Sequence, residues 1–574
     1  MATETFKSGT TSDLYLKLLR DRGIEYLFVN PGTDFAPIIE SYAKAETNGT
    51  KLPTPISVAH ENVAVGMAHG YYLATGRMQA VMVHVNVGTA NTVCGIINAA
   101  KDNVPVLMTA GRTPLTETEL SGSRSGSIHW AQEMFDQAGM VRESVKWDYE
   151  LRNGEQTEAV VDRAIEIANA DPKGPVYLSL PREVLGYELK DINYESPVRR
   201  AAPSPAAPDT NAIDEAADLL ANAERPLIVT RTGGRYASDA ETLAKLAQDN
   251  AIPVSEFRPV YNAMPSDHEM NFGFDTKTHL EQADVVLALD ADVPWLPAIH
   301  GEPSKDAKII HMGADPLFQK YPIRGFTRDL AITSNLGLGL SALSVALDQR
   351  SGIAKDKIDT RRNLLGGLKE EQRTRLTEMR EKIKNDSPIH PAWASHLLSE
   401  RLDDDTLIFN DYPLLLPHMN RPQPHTYFGT PNAGGLGWGT GAALGAKLAN
   451  PDKMVVSAVG DGSYMFGNPI AAHHVSKNYD LPVLFLIFNN STWFAVKRAT
   501  LGMYPDSHAA KSNRMPLTSL DPTPEFDKMM ALYDGYGEKV EDPADLPDAL
   551  DRAIHAVKVE RRQALLNIIC TTAW

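Results

Sequence analysis

Gly460-Asp461-Gly462-Ser463 ends one apolar run, Met454-Val455-Val456-Ser457-Ala458-Val459, and Asn489-Asn490 ends the next, residues 481–488. Runs of this length and composition read as strands buried on both faces. A turn and a helical segment near residues 470–477 lie between them. The pattern is strand–turn–helix–strand, with a carboxylate and a carboxamide at the carboxyl ends of two strands. In open α/β sheets, ligands bind at that edge. Asp461, the Asn490 side chain and a backbone carbonyl, as at Thr492, are hard oxygen donors. They suit an octahedral Mg²⁺ that completes its shell with a diphosphate and water. Gly460 and Gly462 let the backbone approach the phosphates closely. Alone, Gly-Asp-Gly is an ordinary turn. Asparagines at the end of the following strand make it specific.

The chain has 574 residues, too many for one core, so three domains of ordinary size are expected. Hydrophobic content of 43% and charged content of 22% are those of a soluble globular protein. The net charge of −17 argues against nucleic acid as a partner. Cys94 and Cys570 are the only cysteines, which disfavours a disulfide framework and favours a reducing compartment. The N-terminal residues lack the basic and apolar regions of a signal peptide, and no apolar run approaches bilayer length. A cytoplasmic protein with no membrane partner is expected.

Strand patterns at residues 26–29, 80–84, 106–110 and 175–181 alternate with helical ones at 12–22 and 63–75, which predicts a doubly wound parallel sheet. Residues 85–91 are polar and contain a glycine, and read as a turn before a helix of small residues. Residues 199–209, crowded with Pro and Ala, read as a linker. A second α/β unit follows, with strands at 226–230, 285–289 and 308–312. Residues 355–386 are strongly charged with helical spacing and no wide apolar face, and read as a surface helix bridging domains. A third α/β domain begins near Pro391 and carries the opening motif. The three domains are assigned to residues 1–190, 205–350 and 385–574. The first and third, both doubly wound, are candidate structural relatives.

Glu61 follows a strand and opens a small-residue helix, where the helix dipole alone favours it by a few tenths of a kcal/mol. Its setting, His60-Glu61-Asn62-Val63-Ala64 with Gly70-Tyr71 and Ala74-Thr75-Gly76, together with the Asp461 and Asn490 pattern, resembles the thiamine-diphosphate enzymes of the pyruvate decarboxylase/acetolactate synthase superfamily. The resemblance covers essentially the whole chain. It implies a pyrimidine-binding domain, a central domain and a diphosphate-binding domain, in that order. It also implies that Glu61 activates the cofactor by bonding its aminopyrimidine ring. Pro31, Gly32, Gly434, Leu436, Gly460, Gly462, Ser463 and Asn490 would line the cofactor, and Asp461, Asn490 and Thr492 would hold Mg²⁺. The Gly434 carbonyl would accept from the aminopyrimidine and Leu436 would wedge the cofactor into its bent form. Without that precedent, Gly434-Gly435-Leu436-Gly437 is a glycine-rich turn leading into a helix.

Within this superfamily, His84, His268 and Thr33 look most like benzoylformate decarboxylase. That family has two active-site histidines at these places and a hydroxyl residue touching the substrate carboxylate. A lone histidine is more often structural, but such a pair titrates near neutral pH and moves protons. The implied reaction is non-oxidative decarboxylation of a 2-oxo acid to an aldehyde, with carboligation open. The resemblance also implies that Glu61 and Asp461 meet across a subunit interface, so a homodimer is the minimum and a homotetramer is expected. Residues 85–91 look more like acetolactate synthase, which makes a carboligase acting on pyruvate the rival reading. Arg112 is read as binding a second substrate carboxylate or as pairing across a subunit contact. The resemblance places Pro413-Leu414-Leu415-Leu416 in the pocket wall, while His473-His474 is read as helix surface. A catalytically silent binding protein and a flavin-containing oxidase are the remaining alternatives.

Overall fold

The computed structural model describes residues 2–196, 198, 202–512 and 515–572, and not the side chains of Ala2 and Ile353. Residues 199–201 of the expected linker therefore lie outside the described residues; 202–209 has no regular structure and ends at Asp209, which caps the helix Thr210–Asn222.

Three parallel sheets form, as the sequence predicts. The first has strands Tyr26–Asn30, Thr54–Ser57, Ala80–Val83, Leu107–Arg112, Asp148–Glu150 and Val176–Pro181. Counted along the chain, they lie in the order second, first, third, fourth, sixth, fifth. The third sheet has strands Leu407–Asp411, Tyr427–Gly429, Val455–Gly460, Leu484–Asn489, Tyr536–Val540 and Ala564–Ile569, in the same order. Between them in sequence comes a five-stranded sheet built on Pro226–Thr230, Val254–Glu256, Val285–Leu289, Lys308–Gly313 and Leu330–Thr333. The inner strands are buried on both faces, as in Leu484–Asn489, because crossover helices cover a parallel sheet on each side. A two-stranded antiparallel ribbon, Ala2–Thr10 with Glu188–Ser196, was not anticipated. Its polar residues and partial burial leave no apolar run to read.

Register sets the ligand edge. Gly460 pairs with Phe488, so Asp461 and Asn490 leave their strands at neighbouring levels. In the first sheet Asn30 pairs with Val83 and Val83 with Ala110, which brings the 31–34 loop, His84 and Gly111 to one edge.

The chain divides into two compact units. One gathers residues 1–204, 431–452 and 463–481; the other gathers 205–430, 453–462 and 482–574. In the first, the helices Glu61–Thr75 and Trp438–Ala449 pack backbone to backbone. A Cβ on Gly70 would lie 1.9 Å from the Ala442 carbonyl oxygen, and one on Gly445 would lie 1.9 Å from that of Met67. Glycines four apart on each helix, Gly66 with Gly70 and Gly441 with Gly445, share one face; a Cβ would clash at Gly70 and Gly445 and be tight at Gly66 and Gly441.

Three expectations are corrected. Residues 85–91 are not a turn: the helix Val85–Lys101 starts directly after His84. Its glycine, Gly88, is there for close approach, since a Cβ would sit 2.9 Å from the Val83 Cβ. The charged helix Ser351–Ile383 is not wholly on the surface. Ala354, Ile358 and Leu365 join the central-domain core, and the buried Arg361 donates to the Leu220 carbonyl at 3.2 Å. That stripe is narrow, but it lies on one helix face. His473 is buried with Nε2 2.6 Å from the Tyr464 hydroxyl, and only His474 is exposed. Leu414 and Leu416 are buried in the core of the third sheet, while Leu415 between them is half-buried.

Candidate active site

In the first unit, the loop after Tyr26–Asn30 carries Thr33 and Asp34 to the His84 ring. His84 Nδ1 lies 2.5 Å from Asp34 Oδ1, and the Val85 N–H lies 3.4 Å from Oδ2. Asp34 is buried. The bond to its carboxylate raises the His84 pKa, burial opposes this, and the charges of Asp34 and Glu61 add to the rise. Two glycines clear the space. A Cβ on Gly32 would fall 2.2 Å from His84 Cγ, and one on Gly111 would fall 1.6 Å from Asp34 Oδ2. Val85 holds φ at +32°, where a β-branched residue is strained by roughly 1–3 kcal/mol. That strain sits beside the imidazole.

Glu61 is buried at the first position of its helix, and Oε2 accepts from Asn91 Nδ2 at 3.0 Å. His60 caps the same helix. The glycine run lies in this unit too: Asn98 Nδ2 donates to the Gly435 carbonyl at 2.9 Å, and the Gly435 N–H donates back to Asn98 Oδ1 at 3.0 Å. Gly434 and Gly437 hold φ of +68° and +80°, left-handed values that favour glycine. Ser463 Oγ accepts from the Gly437 N–H at 2.9 Å, and Leu436 is half-buried. Pro31 is exposed.

In the second unit Asp461 is buried, and its Oδ1 accepts from the Gly462 N–H at 2.8 Å. Its Oδ2 is buried with no hydrogen-bond partner among the described residues. Burial raises its pKa; the N–H groups of Gly462 and of residues 490–492 oppose that rise. Asn490 Oδ1 accepts from the Thr492 N–H at 3.0 Å. Asn489 is a brace rather than a donor to a ligand, bonding Asn567 and Thr523. A Cβ on Gly462 would strike the Trp493 ring at 2.2 Å, whereas one on Gly460 would meet only open space. His268 belongs to this unit but to the central domain. Its Nδ1 accepts from the Met270 N–H at 3.1 Å inside its own turn, and burial lowers its pKa.

Three family models match this chain. The thiamine pyrophosphate enzyme N-terminal TPP binding domain matches residues 9–140, the central domain 213–343, and the C-terminal TPP binding domain 413–567. The chain belongs to the thiamine pyrophosphate enzyme family. It is similar to the probable acetolactate synthase large subunit of Methanocaldococcus jannaschii, 26% identical, with 98% of this chain and 92% of that protein covered. The acetolactate synthase large subunit of Haemophilus influenzae is 24% identical over 95% of this chain and 92% of its own length. Among solved structures, the Rhodococcus jostii RHA1 thiamine diphosphate-dependent 4-hydroxybenzoylformate decarboxylase shares the fold. Its TM-score is 0.75 at 22% identity, with 98% of this chain and 99% of that chain covered.

The residues present fit what this family holds. A buried carboxylate oxygen without a partner is costly, and a divalent cation satisfies it. The open space at Gly460 leaves room for phosphate oxygens. Buried Glu61 offers a carboxylate to a ring nitrogen. Two neighbours were missed from the sequence, Asp34 and His129. His129 lines the same small recess as Thr33, His84 and Arg112. The only sequence signal for Asp34 is its place beside Thr33 at a strand end; His129 sits in the single-turn helix Ile128–Ala131 with none. Arg112 lies at the rim of this recess. It pairs within its own domain, with Glu133 at 2.7 Å and Glu150 at 3.2 Å.

Proposed function

We propose that this protein decarboxylates a 2-oxo acid of the benzoylformate kind, without oxidation, to the corresponding aldehyde. Thiamine diphosphate is held by Glu61, Gly434 and Leu436 at its pyrimidine end and by Gly460, Gly462 and Ser463 at its diphosphate. Mg²⁺ is held by Asp461, the Asn490 side chain and the Thr492 carbonyl. When bound, the cofactor supplies the nucleophilic carbon and the electron sink that let a 2-oxo acid lose CO₂.

The observation that carries this reading is the Asp34–His84 pair, 2.5 Å apart in the recess that Thr33 also lines. With Nδ1 committed to Asp34, the ring turns Nε2 to the recess and its raised pKa keeps it able to deliver a proton near neutral pH. Glu61 holds and returns a proton at the cofactor's ring nitrogen. The Thr33 hydroxyl donates to the substrate carboxylate, and His268, whose pKa burial lowers, assists product release. A homodimer or homotetramer is part of this proposal, and light scattering on the purified protein checks it.

A second reading, carboligation of pyruvate to acetolactate, is favoured by the acetolactate synthase large subunits that this chain resembles over 95–98% of its length. One assay separates the two. CO₂ release and product identity are followed for benzoylformate, 4-hydroxybenzoylformate, pyruvate and 2-oxoglutarate with thiamine diphosphate and Mg²⁺. Aromatic aldehyde formation that falls at least about 10²-fold in His84→Ala supports the decarboxylase. Acetolactate from pyruvate, unaffected by that change, gives the protein to the carboligases.

A further inference from the structure

Two histidines of one recess are held in opposite ways. His84 turns Nδ1 to a carboxylate, whereas His129 turns Nδ1 to backbone donors, the N–H groups of Ser125 at 3.0 Å and Gly126 at 3.3 Å. Both N–H groups need a lone pair on His129 Nδ1. That fixes the neutral tautomer with its hydrogen on Nε2. The ring is 4% exposed. Burial first, then the Arg182 and Arg124 guanidinium groups, lower its pKa, while His84 lowers and Asp34 raises it less strongly. Its Nε2 faces Thr33 Oγ1 at 3.5 Å, too long for a strong mutual bond and a spacing at which both can donate to one ligand.

The guanidinium groups around this pair each hold other protein groups. Arg124 donates to Glu133 at 2.6 Å and to the Pro114 carbonyl, and Arg112 pairs with Glu133 and Glu150. Arg182 donates to the carbonyls of Gly122 and Ser123, each at 2.6 Å, and of Thr33 at 3.3 Å.

We propose that His129 is a fixed, neutral hydrogen-bond donor that, together with Thr33, binds the carboxylate of the 2-oxo acid. This rests on the decarboxylase reading above. The chemistry favours a neutral donor. In the reaction the carbon–carbon bond to the carboxylate breaks, its electron pair stays with the remaining fragment, and the carboxylate leaves as uncharged CO₂. A cation paired with that carboxylate stabilises the starting state more than the transition state and slows the step. Neutral donors orient the group with less such opposition. No proton passes through His129.

Three variants test this in the cofactor-loaded enzyme. His129→Asn keeps an acceptor for the Ser125 and Gly126 N–H groups but withdraws the outward donor. His129→Gln restores a donor that reaches outward. KM is measured for benzoylformate, or for the panel acid turned over fastest, and competitive inhibition is measured with the matching aldehyde, which has no carboxylate. Expected for His129→Asn is a KM raised about tenfold, the size of one lost bond to a charged group, with aldehyde affinity unchanged. His129→Gln should recover most of the loss and keep the parental pH profile. No turnover of any acid by the parent overturns the decarboxylase reading, and this inference with it. Turnover with an unchanged KM in His129→Asn, or equal losses for acid and aldehyde, overturns this inference alone. If His129→Asn does not fold, His129→Gln decides: a pH limb that disappears in it shows that His129 titrates and is not the neutral donor. The third variant, Thr33→Val, should raise KM for the acid in the same selective way; an unchanged KM there removes Thr33 from the pair and contradicts the proposal.

Discussion

The first and third sheets have the same six parallel strands in the same order, yet their carboxyl ends carry different chemistry. After its first three strands the first sheet presents Thr33 with Asp34, then Glu61, then His84, a hydroxyl, two carboxylates and an imidazole. At the matching places the third sheet runs into Tyr412, the Gly434–Gly437 turn and Asp461, and its fourth strand delivers Asn490. These offer backbone and hard oxygen donors. The shared order places the loops, and loop composition alone decides what each sheet does. The helices after the second strand correspond as well, and in the first unit these two, Glu61–Thr75 and Trp438–Ala449, pack on each other through glycines.

The division can be broken at its catalytic end first. Glu61→Gln is expected to lower kcat by at least about 10²-fold while leaving thermal stability near that of the parent. A variant with parental kcat would remove Glu61 from the mechanism. Next is the helix contact. Gly445→Ala puts a methyl group against the Met67 carbonyl and should cost about 1–3 kcal/mol, seen as a lower urea midpoint; a neutral result would mean that the helices separate easily. Smallest is Asp34→Asn, which removes the main cause of the raised His84 pKa. The stability from this pair is full below the ordinary histidine pKa and is lost as pH rises through the raised value. The alkaline limb of kcat/KM should therefore move toward acid in this variant. An unmoved limb would assign it to another group.

Much of this was legible in the chain because the inner strands of both sheets are buried on two faces. Their strands appear as unbroken apolar runs, and donors just past each run fall at the ligand edge, as Asp461, Asn490 and His84 do. What escaped depends on contacts distant in sequence. Asp34 meets His84 fifty positions away, and His129 meets Thr33 ninety-six positions away, neither with a local pattern to mark it. Glycine misled in both directions. Gly88 reads as a turn but permits a tight helix approach, and Gly32, assigned to the cofactor, also clears space for an imidazole.

The most direct test is calorimetric titration of thiamine diphosphate, with Mg²⁺ and then with EDTA, into the parent, Glu61→Gln and Asp461→Ala. If the third domain holds the metal and diphosphate while the first supplies proton chemistry, Asp461→Ala loses at least about 10²-fold in cofactor affinity, as EDTA does to the parent. Glu61→Gln then still binds the cofactor in a Mg²⁺-dependent way but turns over no 2-oxo acid. Parental affinity in Asp461→Ala, insensitive to EDTA, would contradict the assignment of the metal site and with it the division between the two sheets.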